Sequence, residues 1–178
     1  PSRFTEATPY NAVPIHDRLL ERVNPARAGR PRLVEGNTQV LFGGMGHLSE
    51  NCVLSIKNKS HSITAEIVVP EKGAEGVIIA QGANIGGWSL YAKGGKLKYC
   101  YNWGGFKHFM IEATTPIPAG DHQVRMEFAY AGDGLGKGGK VTLYTDGKKV
   151  GEGNVDATLT NIFSADDGCD VGEDTGAP

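Results

Sequence analysis

From Leu33 onward, apolar positions recur with a period of two in short segments bounded by Gly, Asn or Asp. That is the pattern of antiparallel sheets, whose successive side chains face opposite ways. The plainest segment is His122 to Tyr130. Val124, Met126, Phe128 and Tyr130 point one way and Gln123, Arg125 and Glu127 the other, so the first set is expected to be core. Trp88, Leu90 and Ala92 alternate with Ser89, Tyr91 and Lys93, and Leu97, Tyr99 and Tyr101 alternate with Lys96, Lys98 and Cys100. Gly94-Gly95 between these runs predicts a two-residue hairpin turn, and Asp146-Gly147 predicts a second one joining Lys140–Thr145 to Lys148–Gly151. Further strands are expected at Thr38–Gly43, Cys52–Lys57, Ser62–Val69, Gly76–Gln81 and Phe106–Ala113.

Roughly ten strands with hardly any helix must close into a barrel or stack as two sheets. Ala65, Ile67, Val69 and Val77–Ile79 are apolar enough to be central strands, which favours an all-β, two-sheet antiparallel sandwich of jelly-roll type. Residues 33–178 are assigned to it. The first 32 residues differ in texture, with five Pro and six Arg, and read as a mostly irregular connector or strap. Leu19, Leu20 and Val23 have helical spacing and predict one short helix over His16–Val23, ended by Pro25.

Charge and composition remove several functions. The 178 residues carry 18 Lys+Arg against 20 Asp+Glu, a net −2, without a basic block, so no nucleic-acid partner is expected. No apolar run approaches the roughly 20 residues that cross a bilayer, so no membrane partner is expected either. The 26 glycines, about twice the ordinary share, predict many tight turns. Three cysteines, Cys52, Cys100 and Cys169, are spaced for neither zinc nor a disulfide framework, which favours a reducing, cytoplasmic compartment. Cys52 shares strand parity with Leu54 and Ile56 and is expected to pack as a small hydrophobe.

Candidate chemistry is sparse. Gly132–Gly139 imitates a phosphate loop but leads into a strand and lacks Gly-Lys-Ser/Thr, so it reads as a mobile hairpin loop. The histidines show no paired metal spacing; His61 and His122 read as surface residues at strand starts. No Ser or Cys lies in a nucleophile-elbow frame. Asp166, Asp167 and Asp170 in the acidic tail are candidate Ca²⁺ donors, though the spacing is not that of an EF-hand and a solvated acidic loop is the default. Trp103 and Phe106 flank Gly104-Gly105; exposed, they suit stacking on sugars or anchoring a neighbouring domain, and folded back they join the core.

The motifs Q-V-L-F-G-G-M-G (Gln39–Gly46), G-V-I-I-A-Q-G (Gly76–Gly82), G-G-W-S-L-Y (Gly86–Tyr91) and I-P-A-G-D-H-Q-V-R (Ile117–Arg125), with Asn58-Lys59-Ser60-His61, resemble the C-terminal region of large bacterial arylsulfatases. V-P-I-H-D-R (Val13–Arg18) is similar to the L-P-L-D-D-R of that family, from which Ile15 and His16 depart. V-T-L-Y-T-D-G-K-K-V-G-E-G (Val141–Gly153) resembles laminin-G and concanavalin-like sandwiches more widely and speaks to fold alone.

The resemblance implies a bacterial sulfuric ester hydrolase as the parent, using a formylglycine from a C/S-x-P/A-x-R motif and a Ca²⁺ ion. None of the three cysteines is followed by that motif, so no catalytic residue and no cofactor are expected in this chain. The expected role is a non-catalytic C-terminal accessory domain packed on the catalytic domain and shaping substrate entry. His16, Asp17, Arg18, Trp103, Phe106 and His108 are the candidates for that interface or entrance. A carbohydrate-binding module is the alternative. Beginning at Pro1, the chain reads as a fragment, and its uncovered edges are expected to promote self-association.

Overall fold

The computed structural model describes residues 33–164 and 167–176. The connector, with His16, Asp17, Arg18 and the expected helix, lies outside the described residues, as does Asp166. Nine strands are present among them: β1 (His61–Val69), β2 (Gly76–Ala83), β3 (Gly86–Lys93), β4 (Lys96–Trp103), β5 (Lys107–Glu112), β6 (Gly120–Tyr130), β7 (Lys137–Thr145), β8 (Lys148–Ala157) and β9 (Cys169–Val171). They form a four-stranded antiparallel sheet, β1-β6-β7-β8, stacked on a five-stranded one, β5-β4-β3-β2-β9. The described residues form an all-β sandwich of jelly-roll type.

Alternation fills the core as the sequence predicts. Val124 and Met126 of β6, Leu90 of β3, Leu97 of β4 and Leu143 of β7 are fully buried between the sheets. Gly94 and Gly95 both take left-handed φ, 63° and 75°, and Asp146 and Gly147 do the same at 50° and 73°. These are the two-residue turns whose twist matches their flanking strands. On one side the sandwich is closed. There β5 meets β8, Thr114 N–H donates to the Val150 carbonyl at 2.7 Å, and Gly151 lies against the Glu112–Ala113 backbone, with no room for a Cβ.

Several expectations are corrected. Thr38–Gly43 and Cys52–Lys57 are not strands. Instead of a backbone ladder, the Gln39 side chain joins them, donating to the Cys52 carbonyl (2.9 Å) and accepting from Leu54 N–H (2.8 Å). Cys52 ends a 3-10 turn, Glu50–Cys52, and its half-buried thiol lies 3.1 Å from Ser49 Oγ. Ala65, Ile67 and Val69 are not central, because β1 is the edge of its sheet. Outside β2 stands only the three-residue β9, which no period-two pattern announces.

The acidic tail is not simply solvated, since Asp170 lies on β9 and is 4% exposed. Its Oδ1 accepts from His47 N–H at 2.6 Å, and its Oδ2 accepts from the Thr175 N–H and hydroxyl at 2.8 Å each. His61 is not a surface residue either; its Nε2 is buried without a hydrogen-bond partner, and burial lowers its pKa. Lys137–Gly139 belong to β7 rather than to a loop. The preceding turn is pinned by the Tyr130 hydroxyl, which donates to the Gly134 carbonyl (2.9 Å) and accepts from Lys137 N–H (2.9 Å).

Candidate functional site

Two hairpin tips meet at one end of the five-stranded sheet, and the Asn102 side chain bonds both. Asn102, near the end of β4 and 8% exposed, donates through Nδ2 to the carbonyls of Ala83 (2.8 Å) and Asn84 (2.9 Å) in the β2–β3 turn. Its Oδ1 accepts from Gly105 N–H at 2.8 Å, and Phe106 N–H closes the β4–β5 turn onto the Trp103 carbonyl at 3.1 Å. A Cβ on Gly105 would lie 2.9 Å from the Asn84 carbonyl oxygen, so glycine is what lets the turns touch. The tips are thereby held by backbone geometry and a buried amide rather than by flexible side chains.

What the tips display is apolar. Phe106 is 87% exposed, Ile85 66% and Trp103 38%, so neither aromatic ring folds back into the core. The Trp103 and Phe106 rings lie 6.1 Å apart and are tilted by 57°. Lys107, beside them, is turned toward the sandwich: its Nζ sits 4.6 Å over the Phe109 ring and bonds Asp156 Oδ2 at 2.7 Å. The surface at the tips is therefore a wedge of three hydrophobes without a committed charge, which costs solvation unless something covers it.

His108 does not join this wedge. It follows Lys107, the cross-strand partner of Trp103, and strand alternation sends it to the opposite face of the sheet, where it is exposed. Of the candidate Ca²⁺ donors, Asp167 and Asp170 are described, and both bond protein groups. Both carboxylate oxygens of Asp170 are occupied by protein donors, and Asp167 Oδ2 bonds the Ser164 hydroxyl at 3.1 Å. Burial pushes the Asp170 carboxyl up, and the hydrogen bonds from Thr175 and His47 outweigh it, leaving the group below its ordinary value. Among the described residues no three His, Cys, Asp or Glu side chains gather as a metal site, and no helix is long and apolar enough to cross a membrane.

Sequence reasoning missed Asn102 and Ile85. The signal for Asn102 was present, since Asn three residues before a glycine commonly opens a turn. Nothing local marked Ile85, which matters only because Gly105 brings its hairpin alongside.

No protein-family model and no curated protein matches the chain. Among solved structures it is similar to a native heptameric SAP-like pentraxin from Limulus polyphemus, at 14% identity and a TM-score of 0.34. The match covers 68% of this chain and 63% of that one, so this chain spans less than two thirds of that protein's length. Similarity at that level says nothing about activity.

Proposed function

We propose that this sandwich is the non-catalytic accessory domain of a bacterial arylsulfatase and packs on the catalytic domain through the Ile85–Trp103–Phe106 wedge. The observation that carries the docking role is the wedge itself: three exposed hydrophobes on tips that Asn102 holds rigid before any partner arrives. The arylsulfatase identity rests on the motif resemblance. In this reading the formylglycine and Ca²⁺ belong to the catalytic domain, and the wedge borders its substrate entrance. The carbohydrate-binding alternative is less well served. Rings tilted by 57° do not form one flat shelf for successive sugars, whereas a wedge fits a protein surface.

The test pairs two measurements. This chain alone is expected to leave p-nitrophenyl sulfate unhydrolysed, while a longer chain that includes the catalytic domain hydrolyses it and loses domain contact on Phe106→Asp. Saturable quenching of Trp103 fluorescence by a sulfated glycan, absent in Trp103→Ala, would replace the accessory reading with the carbohydrate-binding one.

A further inference from the structure

The side of the sandwich opposite the β5–β8 closure is open. β5 and β8 meet on the closed side; on the other side the four-stranded sheet ends at β1, while the five-stranded sheet ends with β2 and then β9. A cleft of ≈ 920 Å³ occupies the gap. Its walls include seven consecutive residues of β1, His61 to Ile67, with Val77–Ile79 of β2, Trp88 of β3 and residues 37–43.

Two properties of this cleft specify its occupant. Residues of both parities on β1 line it, so it opens onto the edge of the strand and not merely onto one face. That edge has no backbone partner among the described residues: β1 pairs with β6 alone. Nine residues of extended chain, with neither Pro nor Lys to blunt them, therefore present N–H and C=O groups that no described strand pairs. On the inner face Ile63, Ala65 and Ile67 remain only half-buried, while their neighbours Val124 and Met126 on β6 are fully buried. The charged side chains at the lining, Lys59 and Glu66, are of opposite sign. An uncharged occupant suits them.

We infer that this cleft is a receptor for one extended strand of a partner polypeptide, uncharged and apolar at alternate positions, which adds to the β1 edge. Main-chain hydrogen bonds to β1 would supply affinity, and apolar side chains entering between β1 and β2 would supply selectivity for alternation. The lined stretch of seven residues, at about 3.3 Å each, makes a slot about 23 Å long. A second copy of this sandwich fits less well. Its own five-stranded sheet would meet the overhang formed by β9 and residues 44–48, which pair with β9 through Leu48 and Cys169. The inference does not rest on the accessory-domain reading.

The probe is a synthetic peptide of alternating Val and Thr with two Lys at each end, added to the full chain. Hydrogen exchange followed by NMR is expected to slow at the outward amides of β1 by tenfold or more and to be unchanged in β4 and β5. A control peptide with Pro at every Val and Thr position keeps apolar bulk but has no N–H to donate along its length, and is expected to give no protection. Ala65→Trp, which fills the cleft from within, is expected to weaken the peptide at least tenfold while the denaturation midpoint is held or raised. Absence of β1 protection at millimolar peptide would overturn the inference, as would equal binding by the proline control. So would concentration-dependent dimers, seen by sedimentation, that protect β1 without peptide, because a second copy would then be the occupant.

Discussion

Asn102 Nδ2 donates to the Asn84 carbonyl at 2.9 Å, from one hairpin tip to another. Because the same side chain also holds Ala83 and Gly105, its removal strands several groups at once. Asn102→Ala is expected to lower stability by about 1–3 kcal/mol, the cost of leaving buried polar groups unpaired. It should also loosen Trp103, which reports as a lower fluorescence anisotropy in a Trp88→Phe background. A stability change without any change at Trp103 would show that the tips are held by something other than this amide.

His122 at the start of β6 bonds Asp146 of the β7–β8 turn, Nδ1 to Oδ2, at 2.7 Å. That hydrogen bond raises the imidazole above its ordinary 6.5 and, together with Gln123 N–H, holds the carboxyl below its ordinary 3.8. A raised histidine contributes stability below pH 6.5 that is lost as pH climbs through its folded value; a lowered aspartate contributes above pH 3.8 and is lost as pH falls. The pair is therefore fully effective between those limits. NMR titration of the His122 ring is expected to move back toward the ordinary value in Asp146→Asn, and the acidic limb of the stability profile should flatten. An unmoved His122 titration would mean that Asp146 is not the cause.

How much of this was legible follows from what each element rests on. β6 and both two-residue hairpins were readable because alternation and positive-φ residues act locally. Thr38–Gly43 misled because its apolar run fits a strand as well as it fits a wall of the cleft, and the deciding contact, Gln39 to Cys52 and Leu54, is a tertiary one. β9 was hidden because three residues are too few to show a period and because Asp170 at its centre reads as solvated. The edge position of β1 was likewise invisible: Ile63, Ala65 and Ile67 carry the alternation of a core strand, and only sheet order shows them half-covered. Of the site, Trp103 and Phe106 were legible as aromatics around a glycine turn. Their outward orientation was not, because it depends on Asn102 and on a second hairpin.

Gly151 on the closed side has no space for a side chain. A Cβ there would lie 2.7 Å from the Glu112 carbonyl oxygen and 3.1 Å from Ala113 Cα, both backbone atoms of β5 and its exit. Gly151→Ala is expected to force β5 and β8 apart and cost about 1–3 kcal/mol, the usual price of overpacking. Gly43→Ala is the control, since a Cβ at Gly43 has nothing within 4 Å. Equal denaturation midpoints for the two variants would show that the β5–β8 contact is softer than its geometry indicates.

Phe128 carries the centre of the four-stranded sheet's inner face. It lies on β6 opposite His61 and Val141, is 5% exposed, and its ring lies 5.2 Å from that of His61 and 6.3 Å from that of Tyr130. The ring also lies where a Cβ on Gly139 would fall, 2.6 Å away, so glycine at that position on β7 makes room for it. Neighbours built around a large ring cannot collapse fully onto alanine, and the residual cavity adds to the lost burial. Phe128→Ala is therefore expected to destabilise the sandwich by about 3–5 kcal/mol. It also opens the volume beside the unpartnered Nε2 of His61 to water, which would supply the missing hydrogen bond and move the His61 titration upward from its burial-lowered value. The two readouts are separable: a denaturant series gives the first and an NMR titration of His61 the second. A loss below about 1 kcal/mol would contradict the burial of the ring, and a His61 titration unchanged in the variant would mean that water does not reach Nε2 through the space the ring leaves.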